Sequence, residues 1–307
     1  MLIISAKSGQ LGNRLLLFAN FIAWAIEHNF TVFNPAFEEY ADFFVGTAGD
    51  FLCSYPRPYF TAAGNKFLRN KYYKFIKYLI TKKVLKTREI TREKPFSWSK
   101  YQEQEQIKHG SIVCFQGWLF RDGWFVEDTP NLRKYADEIR AYFTPLKQYT
   151  INPERLMANL KNSADAIVGI HIRQGDYAQH QNGRYFYTTD QYIEVMNAAV
   201  KLFAGKNIKF LICSNIQQEP SLFKSFDCVF GSGHLIEDMY ALSKCDYIVG
   251  PPSSYTMWAS FYGDRPLYMI RDVGKVINLK DFVHFYEWQG IFNYCDNWNE
   301  SFWDWTH

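Results

Sequence analysis

Two hydrophobic patterns alternate along this chain: short apolar blocks, and apolar residues spaced three and four apart. In the first half, residues 2–6 form an apolar block that predicts a strand, and a glycine turn over 8–12 follows it. Leu16, Phe18, Phe21, Ile22, Ala25 and Ile26 then fall broadly on one side of a helix over 13–28. Residues 31–33 predict a second strand, 37–64 an irregular aromatic stretch, and 65–86 a basic amphipathic helix. Another buried strand is predicted over 111–115 and another helix over 129–143, after which Pro145 and Pro153 bracket a linker.

The second half is more regular. Strands predicted over 166–173, 208–214, 247–249 and 266–270 are separated by helices over 189–203, 236–244 and 253–262. Strands alternating with helices mean βαβ units and a parallel sheet, so the fold class is α/β. The 307 residues are comfortable for two domains, and the expected division is 1–150 and 151–307. In parallel sheets ligands bind beyond the carboxyl ends of the strands, so the residues just after each strand matter most.

Composition narrows the setting. No apolar run reaches the ~18 residues of a membrane-spanning helix, and the apolar start is shorter than the ~7 residues a secretory signal needs. The six cysteines are scattered with no Cys-x-x-Cys spacing, which fits a reduced cytoplasmic setting. The net charge of +3 hides a local excess: residues 65–94 hold eleven Lys or Arg against two Glu, which is +9 and leaves −6 for the remainder. The basic character is one cationic face, and no nucleic-acid partner is expected. Two readings of that helix stand: it packs on the N-terminal domain with a solvated basic face, or it touches an anionic lipid surface at the inner membrane.

Four places carry candidate chemistry. His171-Ile172-Arg173-Gln174-Gly175-Asp176-Tyr177 ends a buried strand, and Arg173 presents a fork of donors that suits a phosphate or carboxylate. The same Arg173 and Asp176 also read as a salt bridge that merely holds the turn. Gly9-Gln10-Leu11-Gly12-Asn13-Arg14 lies between a strand and a helix, as a phosphate loop does, or is an ordinary turn with Asn13 as helix cap. Gly250-Pro251-Pro252-Ser253-Ser254 starts a helix, where the serines cap it or bind phosphate. Glu237 and Asp238 open another helix, a position the helix dipole favours for acids.

Together these segments resemble glycosyltransferase family 11, the α-1,2-fucosyltransferases, within the wider α-1,2, α-1,6 and protein O-fucosyltransferase group. His171 to Tyr177 is similar to the family's H-x-R-x-G-D-Y, and GQLGNRLLLFA to its N-terminal glycine segment. FQGWLFRDGWF, from Phe115 to Phe125, and EDMYALSKCDYIVGPPSSYTMWASFYG match two further family segments in order. Arg14, Pro251-Pro252, Tyr255-Thr256 and Met257 depart from the family pattern, which bears on sugar and acceptor more than on reaction class.

The resemblance implies a GT-B-like fold, two Rossmann-like domains facing across a cleft, with the nucleotide on the C-terminal one. It implies transfer of L-fucose from GDP-β-L-fucose to a glycan hydroxyl, lipid-linked or soluble, with inversion at the anomeric carbon. No two aspartates are spaced i, i+2, so no metal site is expected, no cofactor beyond the donor is needed, and Arg173 is expected to stabilise the leaving diphosphate. Asn13, Ser253 and Ser254 are expected as further diphosphate donors. Asp238 would recognise guanine, with His171 lining the same pocket. The base is Asp176 or His180. Another GDP-sugar as donor, and a glycan-binding module without catalysis, remain as alternatives.

Overall fold

The computed structural model describes residues 1–58, 64–90, 112–117 and 129–287. The chain divides into two compact units, Met1–Leu146 and Lys147–His307. Each is a mixed α/β unit built on a mainly parallel sheet, a Rossmann-type architecture of the GT-B-like kind.

The first unit holds strands β1 (Leu2–Ile4), β2 (Val32–Phe33), β3 (Ser54–Tyr55), β4 (Thr87–Ile90) and β5 (Val113–Gly117), in the order β3-β2-β1-β5-β4. Only β3 runs antiparallel to its neighbour. Helix α1 (Leu11–His28) is buried almost all round, from Leu11 through Ala25, which its Leu- and Phe-rich sequence allows. It starts two residues earlier than its periodicity predicts, with Gln10 at the N-cap. Asn13 is therefore a first-turn residue and not the cap.

Two expectations for this unit are corrected. The basic helix α2 (Lys66–Thr81) stops well short of 86. Lys83 turns the chain at positive φ, and the following residues form β4, gaining a parallel ladder with β5 that no local pattern announces. The helix over 129–143 is two, α3 (Thr129–Lys134) and α4 (Ala136–Tyr142). The break falls at Tyr135, where Lys134 Nζ and the Tyr135 hydroxyl both bond to Glu27 of α1. Residues 118–125 of the Phe115–Phe125 segment, 91–94 of the basic stretch and Cys295 lie outside the described residues.

The second unit holds β6 (Ala166–Ile172), β7 (Ile208–Ser214), β8 (Cys228–Phe230), β9 (Tyr247–Gly250) and β10 (Leu267–Met269), all parallel, in the order β10-β9-β6-β7-β8. All seven residues of β6 are buried, as a central parallel strand covered on both faces requires. Helix α5 (Ile151–Lys161) was not expected, because Pro153 reads as a linker marker. In fact Pro153 sits in the first helical turn, where its missing N–H bonds nothing in any helix. Helix α6 (Thr189–Leu202) carries a capping box between Thr188 and Gln191. Helices α7 (Leu235–Leu242) and α8 (Ser254–Gly263) follow β8 and β9. Helix α7 lies close on the sheet over Gly169, where a Cβ would come within 2.7 Å of Leu242.

Candidate active site

Seven of the eight predicted site residues lie in the second unit, and they gather at the carboxyl edge of its sheet. Arg173 is the first residue past β6. Its guanidinium pairs with Asp176 at 2.7 Å and lies over the Tyr177 ring, 5.3 Å from the centroid. Gly175, at φ +54°, makes the turn between the two partners, and Asn215 Nδ2 would be 3.0 Å from a Cβ there. Asp176 also accepts from Asn215 Nδ2 at 3.4 Å.

The loop after β6 is tied to the loop after β7. Asn215 accepts from the Gln174 backbone N–H at 2.8 Å, and Gln218 donates to the buried Gln174 side chain at 2.9 Å. The Gln174 side chain in turn donates to the Tyr187 carbonyl at 2.9 Å. These bonds hold the backbone beside Arg173 in place.

His180 lies in a short turn, His180–Gly183, with its ring 5.2 Å from that of Tyr177. Tyr177 thus sits between Arg173 and His180, and its hydroxyl donates to the Pro252 carbonyl at 2.9 Å, linking them to the start of α8. Burial lowers the His180 pKa, so its ring is neutral near pH 7. Ser253 caps α8, its Oγ accepting from the Tyr255 N–H at 3.2 Å, while Ser254 is the first helical residue and half-buried.

His171 is buried, with its ring stacked on Tyr255 at 4.8 Å. Desolvation, then the Arg173 charge, pushes its pKa down to about 3, so the ring is neutral. Its Nδ1 is buried with no hydrogen-bond partner among the described residues. Asp238 is 4% exposed, and burial pushes its carboxyl up to about 6 against the opposing pull of the Gly233 and Ser232 backbone N–H groups. It lines a pocket of about 280 Å³ with Asn152, Arg155 and Asn159 of α5, Phe230 at the end of β8, Gly231 and Ser232 just after it, and Glu237. His171 is not among the residues lining that pocket, and its ring stacks on Tyr255.

In the first unit Asn13 is buried in the opening turn of α1. Arg14 beside it donates to the Gly9 carbonyl at 3.0 Å and pairs with Glu39 at 2.6 Å, so it braces the glycine turn. Among the described residues no group of three or more His, Cys, Asp or Glu is arranged to hold a metal ion.

Sequence reading gave no role to Tyr177, Asn215, Tyr255 or the α5 wall of the pocket. Asn215 was within reach of it, as the first residue past β7. The α5 wall was not, because the helix itself was unforeseen.

The family model for glycosyl transferase family 11 matches residues 71–291, well over half the chain. The chain belongs to that family, and it is a glycosyltransferase of the fucosyltransferase class. Among solved structures it is similar to a variant of Arabidopsis thaliana FUT1 in complex with GDP, at 14% identity and a TM-score of 0.55, over 89% of this chain and 71% of that one. It is also similar to the fucosyltransferase NodZ from Bradyrhizobium, at 14% identity and a TM-score of 0.55, over 90% of this chain and 97% of that one. A structure of NodZ α-1,6-fucosyltransferase soaked with GDP-fucose matches at 14% identity and a TM-score of 0.54, over 92% and 97% of the two chains. At such identities the likeness is one of fold. No curated protein sequence matches the chain.

Proposed function

We propose that this protein transfers L-fucose from GDP-β-L-fucose to a glycan hydroxyl, without a metal ion, forming an α-1,2 linkage with inversion. The observation that carries the reading is Arg173, a planar fork of donors held at the carboxyl edge of the sheet by Asp176 and Tyr177 beside the start of α8. A diphosphate leaving group gathers negative charge as the glycosidic bond breaks, and fixed donors aimed at that charge lower the barrier.

In this reading Arg173 bonds the β-phosphate. Ser254 and the first-turn N–H groups of α8 face the same charge, with Ser253 holding the helix start. Guanine enters the pocket between α5 and α7, where the Asp238 carboxylate accepts from its N1–H and N2–H₂ groups. The base for the acceptor hydroxyl is His180 in preference to Asp176, because Asp176 is committed to Arg173 and Asn215 while the imidazole is neutral. The α-1,2 linkage rests on family resemblance, and NodZ, a structural neighbour, is an α-1,6 enzyme. The protein works in the cytoplasm on a glycan that is soluble or lipid-linked.

The test is a donor screen. Purified protein is incubated with GDP-fucose, GDP-mannose and UDP-sugars and a panel of galactose-terminated glycans, and nucleotide release and product linkage are measured. Turnover of GDP-fucose alone with a 1,2-linked product is expected. Turnover of a UDP-sugar, or binding of glycans with no transfer from any donor, would defeat the proposal.

A further inference from the structure

We propose that the outward face of α2 is a docking surface for an anionic phospholipid bilayer. The helix has two sides of different character. Its inner side is fixed: Arg69 is 1% exposed, with its guanidinium on the Asp50 and Gly64 carbonyls and on Asp42 at 2.7 Å. Ile76 packs with Ile3 and Cys114, and Tyr72 and Ile80 lie against the same cluster. This side holds the helix to its sheet and needs nothing more.

The outer side is not the purely polar face that a solvated helix presents. At 100° per residue, Phe67, Lys71, Lys74, Phe75, Tyr78 and Lys82 fall in an arc of roughly 100°. Phe67 is 64% exposed, Phe75 55% and Tyr78 56%. Lysines stand among the rings: Lys71 Nζ lies 4.4 Å from the Phe67 centroid and Lys82 Nζ 5.8 Å from that of Tyr78. The turn beyond the helix continues the pattern with Lys83, Val84 at 66% exposure, and Lys86. Between Asn65 and Arg88 no acidic residue interrupts it.

Exposed aromatic rings cost free energy in water and gain it at the boundary between headgroups and acyl chains, where an apolar body and a polar tip are both accommodated. A single sign of charge beside them selects a negatively charged surface. Rings to insert and lysines to attract, on a helix anchored by its opposite side, together make an interfacial contact. No helix among the described residues is long and apolar enough to cross a membrane, so the contact is peripheral. Lipid at this face would hold the enzyme where a lipid-linked acceptor is found.

The experiment is co-sedimentation of the full chain with vesicles of phosphatidylcholine, alone or with about one third phosphatidylglycerol. Binding is expected only to the anionic vesicles, and it should fall steeply as salt rises, because the attraction is screened. Each lysine is worth about fivefold in partitioning, so Lys71→Gln/Lys74→Gln/Lys82→Gln should bind about a hundredfold more weakly. Phe67→Ser/Phe75→Ser/Tyr78→Ser should lose about tenfold or more. Both variants should keep transfer to a soluble acceptor, which shows that they fold. The proposal is overturned if the wild type ignores anionic vesicles at low salt. It is overturned equally if the serine variant binds them as well as the wild type, or if the face binds an oligonucleotide or a second copy of the chain in their place.

Discussion

Replacing Asp238 by Asn separates the stability of the empty protein from its affinity for nucleotide. Burial raises the Asp238 carboxyl from 3.8 to about 6, a difference worth about 3 kcal/mol against the ionised form in the folded state. The sign follows from the direction. With the folded pKa above the unfolded one, this group favours folding below about pH 4 and loses that contribution as pH rises through about 6. At neutral pH the empty protein therefore carries a strained carboxylate, and Asp238→Asn removes the charge. The amide must turn its NH₂ toward the Ser232 or Gly233 backbone N–H, which costs about 1 kcal/mol, so the net gain is about 1–2 kcal/mol and a melting temperature roughly 2–8 °C higher. The gain should shrink as pH falls toward 4. Affinity moves the other way. An amide cannot accept from both N1–H and N2–H₂ of guanine, so GDP binding should weaken about tenfold to a hundredfold. Wild-type affinity should itself fall below about pH 6, as the carboxyl gains a proton, and the variant should lack that fall. Melting curves with and without GDP across pH, with calorimetric titration, measure both effects. A variant that is less stable when empty and binds GDP as the wild type does would refute the reasoning and leave Asp238 as a helix-start residue.

Arg173→Ala should lower kcat about a hundredfold or more with the fold intact, and Arg173→Lys should restore little, because one ammonium does not replace a fork of donors. Near-normal turnover in the Ala variant, by nucleotide release, would remove Arg173 from the mechanism. Chelation with EDTA should leave turnover unchanged, and loss of activity that Mn²⁺ restores would end the metal-free reading. His180→Gln should lower kcat and abolish an acidic limb of the pH–rate profile lying below pH 6.5, since burial lowers the imidazole pKa, while Asp176→Asn should keep that limb. The reverse pattern would make Asp176 the base. Tyr177→Phe, which deletes the hydroxyl bond to Pro252, should raise the donor KM about fivefold, and an unchanged KM would show that this link does not position the site.

The parts of the site that were legible are those whose partners are close along the chain. Arg173 and Asp176 are three residues apart, and the Gly175 turn between them follows from residue types alone. Strand β6 was readable as a continuous apolar run because a central parallel strand is buried on both faces. The start of α6 was readable because its capping box is local. The contacts that assemble the site are not of this kind. Tyr177 meets Pro252 across 75 positions, and Asp238 shares its pocket with Asn152 and Arg155 of a helix hidden behind a proline. Strand β4 exists because β5 offers it a ladder.

Helix α2 shows where the boundary lies. Its sequence alone determined an amphipathic basic helix in which Phe67, Leu68, Tyr72, Phe75, Ile76, Leu79 and Ile80 recur at helical spacing as one apolar set. Tertiary structure split that set, placing Ile76, Tyr72 and Ile80 against Ile3 and Cys114 and leaving Phe67 and Phe75 in solvent. Periodicity says which residues share a face of a helix. Which of them are covered depends on the shape of the surface the helix meets, and that surface is built from strands far away in the chain.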